Sequence, residues 1–180
     1  MNKLAITALV VSVMASGIVY ADQDGGIIMF SGSVSDITCN ISPESTDGEN
    51  NLIKLGNMKS DDPASTPKTF KLVPTAGSDA GCATATTVTV SWQASGLGPK
   101  GIRSTGTSKD VAVQITPDVT EGITATPTTP ITEGQGNQDT VFTGTGPITP
   151  SYSVKMVNIS NGKAETGSVE ASASYAIAYK

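Results

Sequence analysis

Apolar residues in this chain recur at every second position within short segments, and this period constrains the fold more than any other feature. A period of two places successive side chains on opposite faces of a strand, and no segment keeps the 3.6-residue period of a helix. Clusters of Gly, Pro, Ser, Thr and Asn separate the segments. The sequence therefore predicts an all-β chain of about seven short strands, arranged as an immunoglobulin-like β-sandwich. The alternating sets are Gly26, Ile28 and Phe30; Ile53 and Leu55; Phe70 and Leu72; Val88, Val90 and Trp92; Val111, Val113 and Ile115; Tyr152, Val154 and Met156; and Tyr175, Ile177 and Tyr179.

Residues 117–150 give the weakest strand signal. This stretch is dense in Thr, Gly and Pro, and only Val141 and Phe142 suggest a strand. We expect long surface loops there, with one short edge strand.

The first 21 residues have the layout of a secretory signal. Lys3 supplies a positive charge, residues 4–19 are uncharged and mostly apolar, and Ala21 ends a small-x-small cleavage site. Cleavage after Ala15 is a second option, and a retained membrane anchor is the alternative to export. We expect export with cleavage after Ala21.

The charge and composition argue against several classes of function. The chain has 11 basic and 16 acidic side chains and no histidine. A mildly acidic protein lacks the basic patch that nucleic acid requires, so no nucleic-acid partner is expected. Histidine is the commonest general base and metal ligand, and carboxylates such as Asp61 and Asp62 lie in turn-like contexts. We therefore expect neither an enzyme nor a metal or other cofactor.

Cys39 and Cys82 are the only cysteines. In an exported chain a disulfide between them is the default expectation, because the compartment is oxidising. Free thiols that act as a nucleophile or as metal ligands are the alternative. Two further segments, which begin at Asn40 and Asn158, match the Asn-x-Ser acceptor pattern for glycosylation, a pattern too short to be diagnostic.

The alternation at the end of the sequence continues to the last residue. From residue 169 to Lys180 the odd positions are apolar or aromatic and the even positions are small, polar or charged. The last residues of most domains are poorly ordered unless something holds them. We therefore expect a partner to hold this strand.

Several local features coincide in one known family. A G-G-I-I-M-F-S-G-S-V segment covers residues 25–34 and precedes Cys39, Gly167 is fourteenth from the end, and Tyr179 is penultimate. Together with Cys82 after its strand-turn unit, these features resemble the structural subunits of chaperone-usher fimbriae, the type 1-like pilins of Gram-negative bacteria. The resemblance covers nearly the whole mature chain.

This resemblance implies an immunoglobulin-like sandwich that lacks its final strand. A periplasmic chaperone would first cover the resulting groove. An outer-membrane usher would then replace the chaperone with the N-terminal extension of the next identical or related subunit. The implied organisation is a signal peptide (1–21), a donor-strand extension (22–34) and a pilin domain (35–180). The implied donor residues are Asp24, Gly26, Ile28 and Phe30. The implied chaperone or groove strand carries Gly167, Ala173, Tyr175, Ile177, Tyr179 and Lys180.

The expected function is that of a major shaft subunit in an adhesive fimbria at the cell surface, which would contact a host receptor through the assembled fimbria. Asp24 departs from the family pattern, because an apolar residue usually occupies that end of the donor strand. Cleavage after Ala15 would instead retain Ile18, Val19 and Tyr20. The alternative function is a secreted, self-complete sandwich that binds a carbohydrate or a protein.

Overall fold

The computed structural model describes residues 39–45, 51–134 and 139–180. The predicted signal peptide lies outside these residues. So does the predicted donor extension, with Asp24, Gly26, Ile28 and Phe30.

The described residues form two antiparallel sheets, which confirms the prediction of an all-β chain. The first sheet has the strand order β1-β2-β9-β6-β5-β4, and the second has the order β10-β3-β8-β7. A short 3-10 helix, Ala80–Ala83, connects β2 to β3. The strands are β1 (Ile41–Ser45), β2 (Lys68–Pro74), β3 (Thr87–Gln93), β4 (Leu97–Gly98), β5 (Gly101–Arg103), β6 (Val111–Asp118), β7 (Ile123–Thr126), β8 (Asp139–Gly144), β9 (Ser151–Asn158) and β10 (Ser174–Tyr179).

One hydrophobic core joins the two sheets, and aromatic rings form its centre. Phe70 and Tyr152 project from the first sheet, whereas Trp92 and Phe142 project from the second. The ring centroids of Trp92 and Tyr152 are 5.2 Å apart, and those of Phe142 and Tyr152 are 5.5 Å apart. Burial of each such side chain contributes roughly 1.5–3 kcal/mol to folding. The alternation in the sequence thus supplies the inward face of each sheet.

Cys39 and Cys82 form the expected disulfide, with their Cα atoms 5.9 Å apart. The bond ties the residues before β1 to the connection between β2 and β3. Hydrogen bonds reinforce this junction, because the carbonyl of Asn40 accepts from the Thr75 N–H at 2.7 Å and from the Ser78 hydroxyl at 3.1 Å. The edge strand β1 is therefore anchored at its beginning.

The prediction of a strand around Ile53 and Leu55 is wrong, because these residues lie in an irregular segment. β1 pairs directly with β2, and of the residues between them Ala64 bridges to Val157 of β9, whereas Ile53 and Leu55 belong to no strand. Ile53 and Leu55 still pack against the core. The alternation here reflects a half-buried loop.

The expectation for residues 117–150 is also wrong in one respect. β8, which contains Val141 and Phe142, lies inside the second sheet between β3 and β7, and the edge strand is β7. Phe142 is fully buried, and Thr140 beside it is nearly so. Threonine tolerates a pleated, half-buried surface well, so a Thr-rich segment can form an interior strand.

The last strand begins five residues later than the alternation predicts. Residues 169–173 are irregular, and β10 starts at Ser174. The reason lies in the neighbouring strand, because β3 ends at Gln93 and a turn at Gly96, with φ of 76°, diverts the chain into β4. Residues 169–173 therefore have no strand beside them on the side where β3 flanks β10.

A tight turn follows β9 and uses the whole side chain of Asn158. Its Oδ1 accepts from the Ser160 N–H at 2.9 Å and from the Ser160 hydroxyl at 2.8 Å, and its Nδ2 donates to the Gly162 carbonyl at 2.8 Å.

Among the described residues there is no helix long and apolar enough to cross a membrane.

Candidate functional site

A cavity of about 780 Å³ opens into the core beside the first sheet. Its floor is the inner face of that sheet, its two walls are the irregular residues 51–58 and 164–173, and aromatic rings lie at one end. We call it the core cavity. Its main apolar lining residues are Phe70, Ile102, Val111, Val113, Ile115, Val154 and Met156 from the floor; Ile53, Leu55, Met58, Val169, Ala171 and Ala173 from the walls; and Trp92 and Tyr175 at the end.

Inward-facing side chains on the floor recur at the spacing of an extended chain. Val111, Val113 and Ile115 are successive inward positions of β6, and Val154 and Met156 face them from β9 in register. Successive positions on one face of a strand are about 7 Å apart. An extended segment with alternate apolar side chains matches this spacing.

The two ends of the core cavity differ in chemistry. At one end, Val111, Met156 and Ala164 form a small cluster of their own, against which Met58 and Val169 pack. Methionine side chains adapt readily to irregular shapes. This end is therefore apolar and deformable.

The other end is aromatic and connects the two sheets. The ring centroids of Trp92 and Tyr175 are 5.5 Å apart, and the Tyr175 hydroxyl donates a hydrogen bond to the Ile41 carbonyl at 3.3 Å. Burial raises the pKa of Tyr175, which keeps the phenol protonated and able to donate. Because Ile41 begins β1 and Tyr175 lies in β10, this bond brings an edge strand of each sheet together.

The wall formed by residues 164–173 is attached mainly through hydroxyl groups. Ser168 and Thr107 bond reciprocally, since the Oγ atom of Ser168 accepts from the Thr107 N–H at 3.1 Å and the Oγ1 atom of Thr107 accepts from the Ser168 N–H at 2.7 Å. The Ser108 hydroxyl donates to the Glu165 carbonyl at 2.7 Å. A Cβ atom on Gly167 would lie only 2.8 Å from the Ser108 main-chain nitrogen, so this close approach requires glycine.

The C-terminal residues singled out in the sequence divide into two groups. Gly167, Ala173 and Tyr175 line the core cavity, although Gly167 and Ala173 lie outside β10. Ile177 and Tyr179 instead pack into the main core, where Tyr179 is only 1% exposed. Burial, with a smaller contribution from Tyr175, raises the pKa of Tyr179 to about 12.

Lys180 has an exposed side chain but a fixed main chain. Its N–H donates to the Thr87 carbonyl at 2.9 Å, and its carbonyl accepts from the Thr87 N–H at 3.2 Å. The ladder between β10 and β3 therefore includes this residue.

Apart from Gly167 and Ala173, sequence reasoning did not find the walls or the floor of the core cavity. Alternation marked Val111, Val113 and Ile115 as inward-facing, but it cannot tell which inward positions another strand covers. Met58 and Ala164 carry no periodic signal in the sequence. Only the path of residues 51–58 and 164–173 reveals the site.

The core cavity is partly open to solvent, because Ala171, Ser172 and Ala173 of one wall are exposed. Its floor is apolar, so that side favours apolar side chains over water.

The site offers no sign of metal chemistry in the described ranges, where no cluster of three or more potential metal ligands occurs.

No protein-family model matches the sequence, and no curated protein matches it significantly. The resemblance to pilins therefore rests on the residues quoted above.

Proposed function

We propose that this chain is a structural subunit of a chaperone-usher fimbria, exported through the periplasm and assembled at the cell surface. One copy inserts its N-terminal extension, residues 22–34, into the core cavity of the next copy. The domain is then an immunoglobulin-like sandwich that lacks one strand. The observation that carries this proposal is the core cavity, which has an apolar floor and is lined in part by the edge strands β1 and β10 of the two sheets.

The lengths of the sheet edges support this position for an added strand. Of the four edges in the described sheets, β4 has two residues and β7 has four, whereas β1 has five and β10 has six. Short edge strands resist pairing with another chain. The two longer edges meet at the core cavity through the Tyr175–Ile41 hydrogen bond.

The predicted extension has the chemistry that the floor requires. Ile28 and Phe30 share one face of an extended chain, and their burial would contribute roughly 1.5–3 kcal/mol each. Gly26 on the same face suits a position with little space. Because the donor and the acceptor are different surfaces, the contact does not close on itself and generates a filament.

The same cavity would explain a chaperone partner. The floor side chains are themselves buried, but an isolated subunit has no strand in the core cavity beside them, and a strand lent by a chaperone would fill that place. The main-chain hydrogen bonds between Lys180 and Thr87 hold this part of the chain in position for that contact.

Expression of the mature chain with and without a periplasmic pilus chaperone tests the proposal. We expect aggregation or degradation of the chain alone, and a soluble one-to-one complex when the chaperone is present. A soluble, well-folded monomer without any chaperone would favour the self-complete binding module instead.

A matched pair of substitutions tests the donor strand itself. Gly26→Arg should block fibre formation and leave chaperone binding intact, because the arginine would enter the core cavity. Gly25→Arg, whose side chain projects from the opposite face of the extension, should leave fibres of normal length. Normal fibres from the Gly26→Arg chain, seen by electron microscopy, would contradict the assignment.

A further inference from the structure

We propose that residues 169–173 are a latent strand, which joins the end of β10 when an extended segment enters the core cavity. The occupant is the extension 22–34 of a second copy, so this inference rests on the proposed function. The latent strand would give the incoming segment main-chain hydrogen-bond partners that β10 alone does not supply.

The sequence and the structure disagree about these five residues in an informative way. The alternation of β10 continues back to Val169, yet residues 169–173 belong to no strand. Ala171, Ser172 and Ala173 are exposed and line the core cavity. The segment therefore has a strand pattern, an extended neighbour in β10 and a place beside the cavity.

What the segment lacks is a partner strand. β3 turns away after Gln93, so the ladder that holds β10 stops there. The Glu170 carbonyl bonds instead to Thr105, accepting from its N–H at 2.8 Å and from its hydroxyl at 3.1 Å. A strand laid in the core cavity would supply partners on the opposite side.

The ladder of β10 defines which residues would face that added strand. Lys180 and Thr87 exchange both main-chain hydrogen bonds, and in an antiparallel pair such residues alternate along each strand. Even-numbered residues therefore direct their main-chain groups towards β3, and odd-numbered residues direct theirs away. If the pattern continues, Ala171 and Ala173 face the added strand and Ser172 does not.

Proline substitution at neighbouring positions tests this geometry, because proline removes the main-chain donor and suits an extended backbone. The background is the mature chain with Gly26→Arg, purified as its soluble complex with the chaperone, so that the peptide must displace the chaperone and the chain's own extension cannot compete. The probe is a fluorescein-labelled synthetic peptide of residues 22–34, and its binding is followed by fluorescence anisotropy. Ala171→Pro should weaken binding about tenfold, whereas Ser172→Pro should change it by no more than about twofold.

Hydrogen exchange of the same complexes gives a second measurement. Amides of the odd-numbered residues Val169, Ala171 and Ala173 should become protected when the peptide binds, and a peptide with Asp at positions 28 and 30 should protect none of them. Equal effects of the two proline substitutions, or binding without this protection, would overturn the latent strand while the proposed function survives. If the peptide does not bind the Gly26→Arg chain at all, both proposals are wrong.

Discussion

Removal of the disulfide should destabilise the domain by an amount that its loop length determines. Cys39 and Cys82 are separated by 43 residues in sequence. Closing a loop of this length removes chain entropy from the unfolded state worth roughly 4 kcal/mol at 25 °C. That is a large fraction of the stability of a typical domain, about 5–15 kcal/mol.

The measurement is made on the chain with its core cavity filled by the synthetic peptide of residues 22–34, which contains no tryptophan, so the chain supplies its own reporter. Trp92 is the single tryptophan and is 7% exposed, so its fluorescence follows unfolding of the core. With a urea dependence of about 2 kcal/mol per M, the Cys39→Ala/Cys82→Ala double variant should unfold at a midpoint roughly 2 M lower. The slope should rise, because the unfolded chain without the cross-link is less compact and exposes more surface.

Ser78→Ala is the control for local contacts at the same junction. It removes the hydroxyl that bonds to the Asn40 main chain but leaves the loop closed, and it should cost only about 1 kcal/mol. If the double cysteine variant loses no more stability than Ser78→Ala, loop closure is not what the disulfide contributes, and the reasoning fails.

Three other perturbations have defined outcomes. Gly167→Ala should lower the free energy of unfolding in urea by about 1–3 kcal/mol, because its Cβ would collide with the Thr107–Ser108 main chain. Gly162→Ala is the control and should be nearly neutral, because a Cβ there meets open space. Equal losses of stability in the two variants would contradict the close approach at Gly167. Stability should stay level to about pH 9 and fall between pH 10 and 12, because Tyr179 keeps its proton to about pH 12 in the folded state and loses it near pH 10 when unfolded. Tyr179→Phe should make this decline shallower in urea titrations at each pH. Deletion of residues 179–180 removes a buried ring and the last ladder pair, and should abolish co-purification with the chaperone; an undiminished yield of complex would refute that role.

Alternation in the sequence was sufficient to predict β3 and β9, one interior strand of each sheet. Val88, Val90 and Trp92 lie on the buried face of β3, and Tyr152, Val154 and Met156 lie on that of β9, as a period of two requires. The disulfide was also predictable, since only one pairing of two cysteines exists.

The same pattern failed where the main chain lacks a partner. Ile53 and Leu55 alternate as strand residues do, but β1 and β2 pair directly and residues 53–55 belong to no strand. Val169 and Ala171 alternate as well, yet β3 has already turned away. Side-chain periodicity shows which face is buried, whereas strand formation depends on which main chain lies alongside, and that is a tertiary property.

The turn around Asn158 has a practical consequence for making this protein. The segment that begins at Asn158 satisfies the Asn-x-Ser pattern, so a eukaryotic secretory host could add a glycan at its Nδ2. That nitrogen already donates to Gly162, and Oδ1 of the same amide holds Ser160. A glycan there would replace one of the two Nδ2 hydrogens and crowd this turn, and Asn158→Gln would itself alter the same contacts. Material secreted from such a host should therefore be checked by mass spectrometry at this site before its folding is compared with that of bacterial protein.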